Sequence, residues 1–246
     1  MIDLKDTVVV ITGASSGIGK EMAHLFAEEK SRLLLTAFEE KELEGVVREL
    51  KKFTAVASVA GDLTDGKFCR HVAKEAIDTY GKVDVLINNA GILIPERLGQ
   101  SNVENWNKVL RLNLTAPFVL TNELVPVMRE KAVWPLIINV ASMSGVVGTP
   151  FCASYVASKY GLVGLTDAIN EEFRIHGRIR SIALCPGTVD TPGMYKVNTP
   201  GISPRSEEPV LDVHHVAHVA LFFARLRDHV DIDRIVFKRR KADQTA

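Results

Sequence analysis

The sequence predicts an α/β fold, a single-domain doubly wound parallel sheet of about seven strands with helices on both faces, spanning residues 1–246. Three observations predict it. Short apolar runs rich in β-branched residues alternate with longer helical patterns from one end of the chain to the other. Each run is nearly continuous in apolar residues, as a strand covered on both faces must be. No Pro/Ser linker, charge block or repeat interrupts the alternation, so one domain of this length is expected.

The elements follow in order. TVVVI (7–11) is a strand, a glycine-rich turn follows it, and 20–30 is helical. LLLTA (33–37) precedes a charged helix reaching Lys52, and TAVASV (54–59) precedes a helix over 66–80. VDVLINN (83–89) leads to one long helical stretch over 102–131. LIINVAS (136–142), a helix over 153–176, IRSIALCPG (179–187), a helix over 212–226 and DRIVFK (233–238) complete the pattern. In such a sheet, ligands bind at the carboxyl ends of the strands.

Composition bounds the function. Hydrophobic residues make up 46% and charged residues 24%, a soluble globular balance. Thirty basic and thirty acidic side chains cancel, which gives no electrostatic footprint for nucleic acid or an anionic membrane. The expected partner is a small molecule. The start MIDLKDTVVVITG is acidic where a signal peptide is basic, and its apolar run is too short to span a bilayer, so a cytoplasmic location is expected. Cys69, Cys152 and Cys185 are scattered, with no C-x-x-C pairing; they read as structural thiols in a reducing compartment, Cys152 lying three residues before Tyr155.

TGASSGIG (12–19) follows the first strand and opens the first helix. Glycines let backbone N–H groups approach a phosphate, and a helix N-terminus adds positive potential. Tight packing alone would also use such glycines. Further along lie GDL (61–63), NNAG (88–91), Asn113 within RLNLTAPF, Ser142 within NVASMSG, Tyr155 and Lys159 within SYVASK, and CPGTVDT (185–191). Taken singly, Asp62 could cap a helix, NNAG could close a strand, Ser142 could be a cap, and Tyr155 with Lys159 at i,i+4 could be a surface pair.

Together, over residues 7–191, these motifs resemble the short-chain dehydrogenases/reductases, whose Rossmann-type sheet carries glycines spaced as at Gly13, Gly17 and Gly19. The resemblance implies an NAD(P)-dependent oxidoreductase interconverting a ketone or aldehyde and an alcohol. It implies a dinucleotide held by Gly13, Ser15, Ser16, Gly17, Ile18 and Gly19. Asp62 would bond the adenine amino group while Leu63 presents its backbone, and Asn89, Ala90 and Gly91 would lie under the adenosine ribose. Pro186, Gly187, Thr188, Val189 and Thr191 would clasp the nicotinamide end. Tyr155 would be the general acid/base, Lys159 its pKa setter and a cofactor-ribose ligand, Ser142 the oxyanion partner, and Asn113 the holder of a water linking Lys159 to solvent. A non-catalytic dinucleotide-binding scaffold would need only the glycine turn.

The chemistry asks much of Tyr155. A free phenol has a pKa of about 10, so roughly one in a thousand is ionised at pH 7. To act near neutral pH it must come down by about 2 to 3 pH units. A lysine ammonium about 4 Å away supplies on the order of 4 kcal/mol at an effective dielectric near 20.

The choice of dinucleotide turns on the end of the second strand, where an acid bonds a ribose 2′-hydroxyl and a base accepts a 2′-phosphate. Thr36, Ala37 and Phe38 stand there, with Glu39 and Glu40 just beyond and Arg32 and Lys41 nearby. With no acid at the strand end itself, NADP(H) is favoured over NAD(H).

Other features are weighed against these. His214, His215 and His218 lack the Glu of an H-E-x-x-H pattern and read as a helix start, with no metal expected. Gly161 and Gly164 invite close backbone approach, and relatives pair this helix between subunits, so a homodimer or homotetramer is expected. A Pro/Gly-rich segment, about 189–210, reads as a substrate lid. Leu93, Ile94, Met143, Phe151, Met194 and Tyr195 are expected pocket walls, implying an uncharged ketone or secondary alcohol. Two departures from the family stand out: Trp134-Pro135 before the fifth strand, and KRRKADQTA (238–246) in place of a glycine-rich finish.

Overall fold

The computed structural model describes residues 2–195, 210–226 and 232–240. Seven strands form one sheet in the order β3-β2-β1-β4-β5-β6-β7, every pairing parallel. The strands are β1 (Val8–Thr12), β2 (Arg32–Ala37), β3 (Val56–Ala60), β4 (Val85–Asn88), β5 (Leu136–Val140), β6 (Arg180–Pro186) and β7 (Arg234–Phe237). The helices between them are α1 (Gly17–Glu28), α2 (Glu40–Leu50), α3 (Gly66–Tyr80), α4 (Val103–Leu110), α5 (Ala116–Lys131), α6 (Ala153–His176), the single turn α7 (Pro192–Tyr195) and α8 (Val213–Ala224). The predicted strands and helices are all present, with ends shifted by a few residues.

The central strand shows why both faces are covered. Val9 and Ile11 join one core with Met22 and Phe26 of α1 and Val216 and Ala220 of α8. Val8 and Val10 point the other way, to Val72 of α3 and Leu120 and Leu124 of α5. Alternation with period two thus splits one apolar run between two cores. Each fully buried Val or Leu contributes about 1.5–3 kcal/mol.

The chain winds outward from β1 to β2 and β3, then returns to place β4 on the other flank of β1. That reversal opens a crevice at the carboxyl ends of β1 and β4, where a doubly wound fold binds ligands.

One expectation is corrected. The stretch 102–131 is not a continuous α-helix: Arg111–Thr115 forms a π-turn between α4 and α5, closed by the Ala116 N–H on the Arg111 carbonyl. Pro117 explains it. Proline has no N–H to return to the Asn113 carbonyl four residues back, and its ring crowds that carbonyl, so the spiral widens there.

Candidate active site

The glycine turn packs against the end of β4. The Thr12 hydroxyl accepts the N–H groups of Asn89 and Ala90, both at 2.9 Å, and the Asn89 amide donates to the Thr12 and Gly13 carbonyls at 2.9 and 3.2 Å. A Cβ on Gly19 would lie 2.2 Å from the Gly13 oxygen and 2.5 Å from Asn89 Nδ2, so only glycine fits. Gly13 and Gly17 have φ of 65° and 54°, the left-handed region that glycine adopts freely. Ser16 precedes α1 without a side-chain cap, leaving the first N–H groups of that 12-residue helix to a ligand. Ser15 and Ile18 lie in the same turn. The cradle fits a pyrophosphate.

At the end of β2, Ala37 is buried and Phe38 is 70% exposed. Beyond the strand, Glu39 Oε2 accepts the Ser15 hydroxyl at 3.2 Å. Asp62 is exposed and accepts the Thr64 N–H at 2.8 Å, while Leu63 is buried in the core. The cap of α3 is Asp65 instead.

The catalytic candidates come from three elements. Lys159 is buried, and its ammonium donates to the Val140 carbonyl at 2.8 Å. It stands 5.5 Å from the centre of the Tyr155 ring. Gly91 lies over it: a Cβ there would be 3.5 Å from Lys159 Nζ and 3.2 Å from Asn113 Oδ1. Asn113, wholly buried in the π-turn, accepts the Ile92 N–H and donates to the Ile92 carbonyl, both at 2.9 Å. It also donates to the Ser158 hydroxyl at 3.1 Å, and Ser158 donates to the Tyr155 carbonyl at 2.7 Å. Ser142, at the exit of β5, accepts the Ser144 N–H at 3.1 Å.

The proton balance differs from the expectation. Burial raises the Tyr155 pKa above the ordinary 10.0, and the Ser142 hydroxyl beside the phenol pulls it part of the way back. Burial also lowers Lys159 from 10.5 to about 8. Desolvation is the largest cause of both shifts, each disfavouring the charged form of its group.

At the end of β6, Pro186 is buried and Gly187, Thr188, Val189 and Thr191 lead away from it. Thr191 reaches the glycine turn, its Cγ2 lying 3.2 Å from where a Gly17 Cβ would be. The two ends of the expected lid are clasped: Leu211 N–H donates to Thr188 O and Asp190 N–H to Leu211 O, both at 2.8 Å. Residues 196–209 and the Tyr195 side chain lie outside the described residues. Leu93, Ile94, Met143, Phe151 and Met194 are half-buried. Phe151 has a φ of 62° and carries the Arg97 guanidinium 5.0 Å from its ring centre.

Several residues make contacts that the sequence motifs do not assign. Thr12 and Ser158 fasten the site, and Asn88, Asn139 and Thr166 form a buried side-chain chain, 2.9 Å at each link, from β4 through β5 to α6. For Thr12, Asn88 and Asn139, polarity inside an apolar strand is the signal that could have marked them, whereas Ser158 and Thr166 lie in α6 without such a contrast. Gly161 makes its close approach within the chain, to Leu114, whereas Gly164 faces open space. All three cysteines are buried, and burial raises their thiols, Cys69 to about 11. His214 pairs with Glu21 at 2.7 Å, and Asp212 caps α8. No group of three or more metal-ligating side chains gathers among the described residues.

Residues 7–200 match the short chain dehydrogenase family. An uncharacterized oxidoreductase of Thermotoga maritima is 33% identical over 84% of this chain and 80% of its own. A 3-oxoacyl-(acyl-carrier-protein) reductase of the same organism is 35% identical over 79% of this chain and 78% of its own. Among solved structures, a short chain dehydrogenase/reductase from Burkholderia phymatum in complex with NAD superposes with a TM-score of 0.83 at 25% identity, covering 96% of this chain and 90% of that one. An alcohol dehydrogenase from Thermococcus sibiricus, complexed with 5-hydroxy-NADP, shares the fold with a TM-score of 0.82 at 23% identity, over 94% and 95% of the two chains. With its parallel sheet, glycine turn and gathered Asn, Ser, Tyr and Lys, the chain belongs to the short chain dehydrogenase family of oxidoreductases.

Proposed function

We propose that the protein interconverts a ketone or aldehyde and a secondary or primary alcohol, with an NAD(P) dinucleotide as partner and Tyr155 as general acid/base. The observation that carries this reading is Lys159: a buried ammonium held on the Val140 carbonyl, 5.5 Å from the centre of the Tyr155 ring, which places a cation beside a phenol. The dinucleotide, when bound, supplies or accepts the hydride at its nicotinamide. Gly13, Ser15, Ser16, Gly17, Ile18 and Gly19 hold its phosphates, Asp62 and Leu63 its adenine, Asn89, Ala90 and Gly91 a ribose, and Pro186, Gly187, Thr188, Val189 and Thr191 its far end.

In reduction the protonated Tyr155 donates its proton to the substrate oxygen, and the Ser142 hydroxyl donates a hydrogen bond to the same oxygen. Lys159 keeps positive charge beside the phenolate that remains. Asn113 fixes the Ile92 backbone, next to the Gly91 that lies over Lys159, and helps hold a water through which the proton is replaced. The half-buried apolar side chains around Met143 suit an uncharged substrate, with 189–210 as its lid. The exposed Tyr160 and the open flank at Gly164 suit a homodimer or homotetramer built on α6. No helix among the described residues is long and apolar enough to cross a membrane, and a cytoplasmic location is part of the proposal.

The test is Tyr155→Phe with NADH and NADPH over a panel of ketones. Wild type should reduce some of them, and the variant should lose at least about 100-fold while still binding dinucleotide. Wild-type and variant proteins that bind dinucleotide alike and turn over nothing would point to a scaffold.

A further inference from the structure

The preference for NADP(H) drawn from the sequence rests on the absence of an acid at the end of β2, and the fold supplies one from just beyond it. Glu39 occupies the N-cap position of α2 but does not cap that helix with its side chain. Its carboxylate turns to the glycine turn and accepts the Ser15 hydroxyl at 3.2 Å. The two segments are already fastened together, Ala14 N–H donating to Thr36 O at 3.1 Å and Thr12 lying in register with Thr36. Glu39 therefore stands beside the phosphate cradle, where the adenosine ribose of a dinucleotide must pass.

The charges around it are acidic on balance, with exposed Lys41 the one cation in the first turn of α2. Glu40 and Glu42 sit in the first turn of α2. Lys20, the basic residue next to the turn in sequence, is committed to Glu49 at 3.1 Å. Phe38 offers an exposed ring, and no charge, at the strand end. A ribose 2′-hydroxyl can donate a hydrogen bond to the free oxygen of Glu39. A 2′-phosphate, carrying about −1.5 to −2 charge like other phosphomonoesters at pH 7, meets a carboxylate there.

We propose that Glu39, oriented by Ser15, is the specificity-determining residue for the dinucleotide, and that the protein takes NAD(H) in preference to NADP(H). This rests on the reading of the protein as a dinucleotide-dependent oxidoreductase. The experiment is a fluorescence titration of wild type, Glu39→Gln, Glu39→Arg and Ser15→Ala with NADH and with NADPH, with no ketone present. Thermal melting of each variant establishes that it is folded. Wild type should bind NADH at least about tenfold more tightly than NADPH. Glu39→Gln should narrow that ratio by tightening NADPH, Glu39→Arg should invert it, and Ser15→Ala should shift it partway. Equal or tighter binding of NADPH by wild type, or a ratio unmoved in Glu39→Gln, overturns the inference and leaves the proposed function standing. If folded wild type binds neither dinucleotide, the proposed function fails and this inference with it.

Discussion

Lys159, buried, holds its ammonium 5.5 Å from the centre of the half-buried Tyr155 ring on the same helix. What surrounds the pair sets the proton affinity of both groups. Burial keeps the phenol protonated and lowers the lysine to about 8. The resting site is thus a proton donor beside a cation that is close to losing its charge.

The rate of carbonyl reduction is expected to fall as pH rises through about 8, where Lys159 neutralises. A profile of kcat/KM between pH 5 and pH 10 checks this. Lys159→Met should be at least about 100-fold slower and should lack that limb. A wild-type profile flat across pH 8 would remove Lys159 from the proton chemistry.

The same shift has a consequence for stability, with a definite sign. Unfolded, Lys159 binds its proton up to its ordinary 10.5; folded, only up to about 8. Between these values the unfolded chain holds more protons, so this group's contribution to stability rises with pH. The cost is fully present below pH 8 and disappears by about pH 10.5. A drop of about 2.5 pH units corresponds to about 3 kcal/mol. Urea denaturation of wild type and Lys159→Met should show their stability difference changing by up to that amount between pH 7 and pH 10.5, in favour of wild type.

Asn113 satisfies both polar groups of the Ile92 backbone. Asn113→Leu strands an N–H and a C=O and is expected to cost about 2–6 kcal/mol, since each unsatisfied group costs about 1–3. Asn113→Asp keeps the acceptor and should lose less. Denaturant midpoints order the three proteins, and a leucine variant as stable as wild type would show that the contact is dispensable.

Two glycine-to-alanine changes should act in opposite directions. In Gly19→Ala the new methyl meets the Gly13 carbonyl at 2.2 Å, so the turn must move and dinucleotide binding should fall at least about tenfold. Gly45→Ala, within α2, has nothing within 4 Å and should stabilise by about 0.5–1 kcal/mol. Thermal melting and a dinucleotide titration separate the two effects.

Much of this protein can be read in one dimension. Apolar runs such as Val8–Ile11 can only be strands buried on both sides, so the sequence by itself determined a parallel sheet with helices on both faces. The spacing of Gly13, Gly17 and Gly19 after such a strand, and of Tyr155 and Lys159 along a helix, is local geometry, and local geometry survives into the fold. What depends on through-space contact does not show in the sequence. Pro117 turning a predicted helix into a π-turn around Asn113, Thr12 gathering two N–H groups from β4, and the Asn88–Asn139–Thr166 chain all join residues from different segments or rest on crowding within one. The balance at Tyr155 and Lys159 was decided only by tertiary structure, because desolvation depends on every atom that excludes water from them. So was the place of Glu39. In the sequence it stands two residues past the end of β2; in the fold its carboxylate lies against Ser15, because parallel pairing of β1 and β2 brings their carboxyl ends side by side.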